Sequence, residues 1–162
     1  MKKNIVLIGM PGCGKTTIGK IIAKETGLKF YDVDEYIEIT TNESILSLFK
    51  KGEEYFRNIE TEAVKQISKK ENIIISTGGG VIKREENIRY LKENGKIFFI
   101  DRPLNNILKD IDIEARPLLK DQKANLIKLY NERYKLYKKY SHFTVTNEEK
   151  LSLVVDAIMS NL

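Results

Sequence analysis

A glycine-rich stretch near the start of the chain combines residue types that bind phosphate groups. Residues 9–16 read GMPGCGKT and fit the pattern G-x-x-x-x-G-K-[ST]. Its glycines let backbone N–H groups approach phosphate oxygens, and the N-terminus of a following helix adds positive charge. Lys15 is expected to contact the outer phosphates, and the Thr16 hydroxyl to ligate Mg²⁺. The stretch predicts a nucleoside triphosphate site, formed by Gly12, Cys13, Gly14, Lys15, Thr16 and Thr17; the alternative is a chance glycine turn.

Two carboxylates follow the second apolar run of the chain, in the sequence Phe30-Tyr31-Asp32-Val33-Asp34. If both lie on one strand, Asp32 and Asp34 point to the same side. A carboxylate near the metal and a second near an acceptor hydroxyl suit phosphoryl transfer to an alcohol. The structural alternatives are a helix N-cap for Asp34 and an exposed strand end for Asp32.

The third apolar run, residues 73–75, lacks the aspartate that ends this strand in many GTPases and motor ATPases. It is followed by Ser76, Thr77 and then three glycines, Gly78, Gly79 and Gly80. Consecutive glycines at a strand end permit close backbone approach to a ligand. A flexible turn between strand and helix is the alternative.

Arginine is scarce in this chain, with six residues among 28 lysines and arginines. Where lysine is the usual cation, an arginine indicates a need for its planar fork, which grips carboxylates and phosphates. Arg57 and Glu60 are three residues apart and would share a helix face. Arg133 borders an apolar stripe of tyrosines on a later helix. Taken alone, Arg57 also fits a surface ion pair, and Arg133 a side chain that lies along the core and reaches solvent.

Short apolar runs alternate with helical patterns along the whole chain, which is typical of a parallel sheet covered by helices on both faces. In such folds ligands bind at the carboxyl ends of the strands, and each of these motifs falls just after a strand or on a neighbouring helix. The predicted strands are Asn4–Ile8, Lys29–Val33, Asn72–Ser76, Lys96–Ile100 and His142–Thr146, and the predicted helices are Thr16–Thr26, Glu53–Lys70, Arg84–Asn94, Asp121–Tyr140 and Glu148–Met159.

Two segments interrupt this alternation. Residues 34–52 insert short helical pieces after the second strand, and residues 109–120 read as a polar loop containing Arg116-Pro117. A small P-loop kinase would place a substrate-binding insert (about 33–61) and a lid (about 109–123) there. The length of 162 residues predicts one domain covering 1–162.

The overall composition excludes several classes of protein. The net charge of +5 comes with scattered lysines, which favours a solvated surface over a nucleic-acid site. No apolar run approaches the roughly 20 residues needed to span a bilayer. The single cysteine, Cys13, excludes an intrachain disulfide and fits a reducing cytoplasm. We therefore expect a cytoplasmic protein with small-molecule substrates and neither nucleic acid nor membrane as a partner.

Together these motifs resemble the shikimate kinase family from end to end. The P-loop alone is specific, but six motifs in the family's order and spacing are far more so. They are the P-loop, the D-x-D of Asp32–Asp34, the F-R-x-x-E of Phe56–Glu60, the triple glycine 78–80, the R-P-L-L of Arg116–Leu119 and the R-x-x-x-Y of Arg133 and Tyr137.

The resemblance implies a P-loop kinase with a three-layer α/β/α sandwich around a five-stranded parallel sheet. It implies Mg²⁺- and ATP-dependent phosphorylation of the 3-hydroxyl of shikimate, in aromatic amino-acid biosynthesis, by a monomer. Asp34, Arg57, Gly78, Gly79, Gly80 and Arg133 would bind shikimate. Lys15 and Arg116 would contact phosphates and act with Asp34 in catalysis, while Asp32 and Thr16 would serve the metal. Lys109 occupies the position where many relatives carry an arginine that stacks on adenine.

Two other functions stay open at this point. Another small-molecule kinase of the same fold, acting on gluconate or a nucleoside monophosphate, would share the P-loop. The F-R-x-x-E helix, the triple glycine and the R-P-L-L lid together argue against it. A nucleotide-binding regulatory module without turnover would not need Lys15, Thr16, Asp32, Asp34 and Arg116 together.

Overall fold

The computed structural model describes residues 3–114 and 119–162 of the chain, with side chains for 3–111 and 121–162. Five strands pair in parallel in the order β2-β3-β1-β4-β5. The strands are β1 (Asn4–Ile8), β2 (Lys29–Asp32), β3 (Ile73–Ser76), β4 (Gly95–Asp101) and β5 (Phe143–Thr146). The helices are α1 (Lys15–Thr26), α2 (Val33–Thr41), α3 (Ile45–Lys50), α4 (Glu53–Ser68), α5 (Glu85–Asn94), α6 (Leu104–Glu114), α7 (Leu119–Tyr140) and α8 (Leu151–Met159).

The central strands are covered on both faces. Every residue of β1 and β3 is buried, although successive side chains of a strand point to opposite sides. Both faces of the sheet must therefore be covered by helices, which is the usual environment of a parallel sheet. The predicted class, a three-layer sandwich around a five-stranded parallel sheet, is confirmed.

The strand order places the P-loop at the point where the topology reverses. β1 lies between β3 and β4, with Leu7 paired to Ser76 and Ile8 paired to Phe99. The chain leaves β1 toward one side of the sheet and later returns to its other side, which opens a crevice at the carboxyl ends of these strands. The P-loop after β1, the triple glycine after β3 and Arg102 after β4 all emerge into that crevice.

The predicted strand position of Asp34 is wrong. β2 ends at Asp32, and Val33 and Asp34 already belong to α2. Asp32 is the N-cap residue, since its Oδ1 accepts a hydrogen bond from the backbone N–H of Glu35 at 3.1 Å. An aspartate at this position satisfies an otherwise unpaired N–H group. The helix therefore begins at Val33, two residues before the start that an N-cap at Asp34 would give.

The predicted polar loop from Lys109 is also wrong over its described part. Helix α6 continues to Glu114 and α7 begins at Leu119, while Arg116 and its neighbours, residues 115–118, lie outside the described residues. This stretch is helical because four apolar side chains recur at helical spacing and pack against the core: Leu104, Ile107, Leu108 and Ile111.

Smaller differences affect the ends of other elements. Helix α8 begins at Leu151 instead of Glu148, and α4 ends at Ser68 instead of Lys70. Helix ends are the least determined part of any sequence-based assignment. No helix within residues 3–114 and 119–162 is long and apolar enough to cross a bilayer.

Candidate active site

The P-loop folds around its own lysine. Gly9, Gly12 and Gly14 have positive φ angles of 151°, 81° and 104°, which side chains other than hydrogen rarely tolerate. Lys15 is buried at 8% exposure, and its Nζ donates to the carbonyl oxygens of Gly9 at 2.8 Å and Met10 at 3.0 Å. The ammonium charge is therefore held inside the turn, where backbone N–H groups and a helix N-terminus also favour an anion.

Thr16 and Asp32 meet at the edge of this loop. The Thr16 hydroxyl donates to Asp32 Oδ2 at 3.4 Å, while the other carboxylate oxygen of Asp32 caps α2. The cap fixes the carboxylate, and the fixed carboxylate presents one oxygen beside the hydroxyl. Such hard oxygen atoms are the ligands that Mg²⁺ prefers, together with phosphate oxygens and water. Among the described residues, no group of three or more His, Cys, Asp or Glu side chains could hold a metal ion. A metal at Thr16 and Asp32 would therefore need phosphate oxygens and water as its other ligands.

A cavity of about 470 Å³ opens above the P-loop. We call it the P-loop cavity; its walls include Pro11, Gly14, Lys15, Thr16, Thr17, Asp32, Asp34, Gly78, Gly79, Arg102 and Asp110. Most of the predicted nucleotide and metal residues are therefore brought together. Cys13 does not line this cavity; it is fully buried behind the loop, where its Sγ lies 3.6 Å from Lys15 Nζ.

A smaller cavity of about 170 Å³ adjoins the P-loop cavity. We call it the arginine cavity; its walls are Pro11, Asp34, Ile45, Phe49, Phe56, Arg57, Glu60, Gly78, Gly79, Gly80 and Arg133. Pro11, Asp34, Gly78 and Gly79 line both cavities. A molecule in the arginine cavity would thus meet a molecule in the P-loop cavity across Asp34.

Arg57 is fixed in the arginine cavity from several sides. It is 7% exposed, and its Nη1 donates to Glu60 Oε1 at 2.8 Å. Its guanidinium carbon lies 5.4 Å from the ring centre of Phe49 and 5.2 Å from that of Phe56, a cation–π arrangement. Outside the cavity, Glu53 approaches Arg57 Nε at 3.5 Å. The surface ion pair considered from the sequence is in fact a buried and oriented one.

The triple glycine is shaped by the side chains that press against it. A Cβ atom on Gly80 would lie 2.7 Å from Arg57 Cζ, and one on Gly79 would lie 2.8 Å from Pro11 Cδ. Real Cβ atoms do not approach so closely, so any larger residue at Gly80 would displace the guanidinium. The Tyr137 hydroxyl donates to the Gly79 carbonyl at 2.6 Å, which ties this loop to α7.

Arg133 approaches the same loop from α7. A Cβ atom on Gly79 would lie 3.3 Å from Arg133 Nη1, which places the guanidinium against the triple glycine. Arg133 is close enough to Glu60 and Tyr137 to influence the pKa of each. Two arginines from different helices therefore converge on one small cavity. Planar guanidinium groups that converge in this way are suited to bind a carboxylate.

Asp34 has an unusual proton affinity. Burial, the negative charge of Asp32 and that of Glu60 raise the pKa of Asp34 from 3.8 to about 6, with Lys15 opposing them. Burial also raises the pKa of Glu60, where Arg57 opposes the effect. A carboxylate with a pKa near 6 is ionised at neutral pH yet basic enough to accept a proton from a reacting group.

A third cavity, of about 260 Å³, lies on the other side of the P-loop and was not foreseen from the sequence. We call it the outer cavity; its walls are Gly14, Thr17, Arg102, Asn106, Asn147, Glu148, Glu149 and Leu151. Asn147 is buried, and its side-chain amide donates to the Cys13 carbonyl at 2.9 Å. No local signal marks Asn147, because its partner is far away in the chain. Arg102 was counted among the scarce arginines but given no role.

Comparison with known proteins assigns the chain to a family. The family model for shikimate kinase matches residues 11–162. A shikimate kinase of Clostridium botulinum (strain Eklund 17B / Type B) is 54% identical over 98% of this chain and 96% of that protein. The chain belongs to the shikimate kinase family. A relative named shikimate kinase from Aquifex aeolicus is 40% identical over 98% of this chain and 95% of that protein.

Solved structures agree with this family membership. A shikimate kinase from Acinetobacter baumannii, determined in complex with shikimate, superposes with a TM-score of 0.86 at 30% identity and covers 99% of this chain and 91% of that chain. The family predicted from the six motifs is confirmed, and with it the class of enzyme, a phosphotransferase that uses ATP. The roles of individual residues in this member of the shikimate kinase family stay predictions, including those of Arg116 and of Lys109, which lies exposed on α6.

The raised pKa of Asp34 predicts how the stability of this shikimate kinase family member depends on pH. Because the folded chain holds the Asp34 proton more tightly than the unfolded chain, its free energy of unfolding should fall as pH rises from about 4 to about 6. Asp34→Asn removes the titrating group, so the variant should gain stability relative to the parent over that interval and keep the gain at higher pH. Urea unfolding of both proteins across this range measures the difference.

Asp156→Asn is the matched control, because Asp156 is exposed on α8. A stability difference between parent and Asp34→Asn that does not change with pH would contradict the raised pKa.

Proposed function

We propose that this chain transfers the terminal phosphoryl group of ATP to the 3-hydroxyl of shikimate, giving shikimate 3-phosphate and ADP in the route to chorismate and the aromatic amino acids. The observation that carries the proposal is the position of Asp34, on the wall shared by the P-loop cavity and the arginine cavity. A phosphate donor on one side and an alcohol on the other would meet at this carboxylate.

Shikimate is a ring that carries one carboxylate and three hydroxyl groups, and the arginine cavity suits that chemistry. Arg57 and Arg133 supply two guanidinium groups for the carboxylate. Phe49 and Phe56 supply apolar surface for the ring. The triple glycine leaves space between the arginines and the P-loop, so Gly78, Gly79 and Gly80 would contact the substrate through their backbone.

The P-loop cavity suits the phosphates of ATP. Lys15 and the backbone of residues 12–17 would neutralise and hold them. Thr16 and Asp32 present hydroxyl and carboxylate oxygens side by side, so we propose that they hold Mg²⁺ in part through water. When bound, Mg²⁺ would neutralise charge on the phosphate oxygens. Arg116, which lies outside the described residues, is proposed to approach the same phosphates from a lid at about 109–123.

Asp34 would orient the attacking hydroxyl and accept its proton. Transfer proceeds through a loose transition state in which positioning matters more than strong base catalysis. The first turn of α2 holds Asp34 in place through the Asp32 cap. Lys15, a catalytic residue in this proposal, lowers the pKa of Asp34 and keeps it ionised near neutral pH.

The remaining partners follow from the same assignment. The residues proposed for both substrates lie on one chain, which supports action as a monomer. Lys109 is proposed to face adenine from α6. A cytoplasmic location fits the single cysteine, buried behind the P-loop.

The direct test is to incubate the purified chain with ATP, Mg²⁺ and shikimate. We expect ADP release that depends on shikimate and a product whose phosphate is attached at the 3-position, as determined by ³¹P and ¹H NMR. Gluconate, nucleoside monophosphates and a reaction without acceptor are the controls. ADP release with gluconate or a nucleoside monophosphate but not with shikimate would overturn the proposal, as would the absence of turnover with every acceptor. Lys15→Ala should abolish the signal by removing charge from the outer phosphates.

Asp34→Asn should lower kcat by roughly 10²–10⁴, the usual scale for general base catalysis, while nucleotide binding is largely kept. The substitution retains size and one acceptor oxygen but removes charge and basicity. The kcat/KM of the parent, which reports pKa values of the free enzyme, should fall as pH decreases through about 6, where Asp34 gains its proton, and the variant should lack this inflection. Steady-state kinetics across pH give both results.

Asp32→Asn distinguishes the roles of the two carboxylates, because it should weaken the response to Mg²⁺ before it alters proton transfer. An Asp34→Asn enzyme with normal kcat, or one that loses ATP binding first, would contradict the assignment.

Arg57→Lys and Arg133→Lys should each lower kcat/KM for shikimate by roughly 1–3 kcal/mol of transition-state binding. Lysine keeps the charge but lacks the bidentate fork that a carboxylate accepts. The KM for ATP should change little, because neither arginine lines the P-loop cavity. Kinetics with each substrate varied in turn give the separation.

Arg89→Lys, on the exposed face of α5, is the matched control and should behave as the parent. If the two cavity variants instead raised KM for ATP and left shikimate unaffected, the substrate assignment of the cavities would be reversed.

A further inference from the structure

Arg102 lies between the P-loop cavity and the outer cavity, and none of the predicted nucleotide-binding roles includes it. It directly follows β4 and lines both the P-loop cavity and the outer cavity. Among the described residues, the only others that line both are Gly14 and Thr17, at the start of α1. These three residues form the neck between the cavities, and within the described part of the chain Arg102 is the cation among them.

Two contacts with residues that the structure describes hold the Arg102 side chain at this neck. Its Nη1 donates to the P-loop carbonyl of Gly12 at 2.9 Å and to Asp110 Oδ2 at 2.5 Å. The first contact fixes the guanidinium beside the P-loop. The second links it to α6, which also packs on the loop through Ile107, 3.3 Å from where a Cβ of Gly12 would lie.

The contact with Asp110 is easily exchanged. Asp110 has 55% of its side chain exposed and Arg102 has 23%, so water screens the pair and its net stability is small. The Arg102 guanidinium lowers the pKa of Asp110, which keeps that carboxylate charged. A guanidinium has five N–H donors, and both contacts use Nη1. A phosphate at the neck could therefore replace Asp110 without breaking a buried network.

We propose that Arg102 is a nucleotide-binding residue that contacts the phosphate next to the ribose, in exchange for Asp110. The inference rests on the proposed use of ATP. If the outer phosphates lie at Lys15, the nucleoside has to leave the P-loop cavity through the neck toward the outer cavity. The innermost phosphate then passes Arg102. Asp110 acts as a competing anion that occupies this cation until a phosphate arrives.

The test compares three ligands by calorimetry, without shikimate: ATP, inorganic tripolyphosphate and adenosine. Arg102→Gln should weaken ATP and tripolyphosphate by a similar factor of about ten, as expected for loss of a charge-assisted hydrogen bond, and leave adenosine unchanged. Arg102→Lys should restore part of the affinity. The loss should shrink at high salt, which a purely structural defect of the P-loop would not do. Arg89→Gln on the exposed face of α5 is the control.

A double-mutant cycle tests the competition with Asp110. Asp110→Asn should tighten tripolyphosphate binding about threefold, because the Arg102 guanidinium no longer has to give up the Asp110 carboxylate to bind phosphate. The gain should disappear in the Arg102→Gln background. If the gain persists in that background, Asp110 simply repels the phosphate, and the proposed exchange between Asp110 and phosphate at Arg102 is wrong.

Two further results would overturn the proposal. One is an Arg102→Gln protein that binds ATP and tripolyphosphate as the parent does. The other is a loss confined to ATP and adenosine, which would place Arg102 at the base instead of the phosphate. Because shikimate is absent from these measurements, they stay informative even if the proposed acceptor is wrong. A failure of ATP and tripolyphosphate to bind the parent would instead contradict the proposed function.

Discussion

The buried ion pair between Arg57 and Glu60 is the interaction on which the arrangement of the arginine cavity depends. Burying two charges costs solvation that their attraction repays only in good geometry, and removing one partner of such a pair typically costs about 3–5 kcal/mol. Here the geometry is fixed by a 2.8 Å contact and by the space that Gly80 leaves for the guanidinium. An apolar pair could fill the same volume, so the charges are better explained by binding than by stability. We propose that they orient the arginine cavity in advance for an anion.

The rest of the fold brings the P-loop cavity next to the arginine cavity. The parallel sheet places the ends of β1, β3 and β4 at one edge, so the P-loop, the triple glycine and Arg102 emerge together. Tyr137 ties the glycines to α7 through the Gly79 carbonyl. Asp34 lies where the two cavities meet, and burial, followed by the negative charges of Asp32 and Glu60, raises its pKa to about 6. The basicity proposed for catalysis is thus a consequence first of burial and then of the two neighbouring acids.

The sequence predicted those parts of the site that local patterns encode. Gly14, Lys15 and Thr16 follow a recognisable loop, and the family could be inferred from the order of six motifs. Asp34 follows Asp32 by two residues, a spacing that fits the end of a strand as well as the start of a helix. The hydrogen bond by which Asp32 caps α2 decides between the two. The α6 spacing of Leu104, Ile107, Leu108 and Ile111 was present in the sequence but obscured by the polar residues between them. The burial of Arg57 and the contact between Asn147 and Cys13, 134 residues apart, depend on tertiary packing that no local pattern contains.

We propose that the arginine cavity binds a carboxylate through the guanidinium of Arg57, which is seated against Gly80. Calorimetry of shikimate and of its uncharged carboxamide analogue, with the parent and with Gly80→Ala, tests this assignment. Gly80 has an ordinary φ of −97°, so alanine should alter the guanidinium position and not the backbone. The parent is expected to bind shikimate at least about tenfold more tightly than the carboxamide, and Gly80→Ala to bind both weakly and with similar affinity. Equal binding of the two ligands by the parent would contradict it.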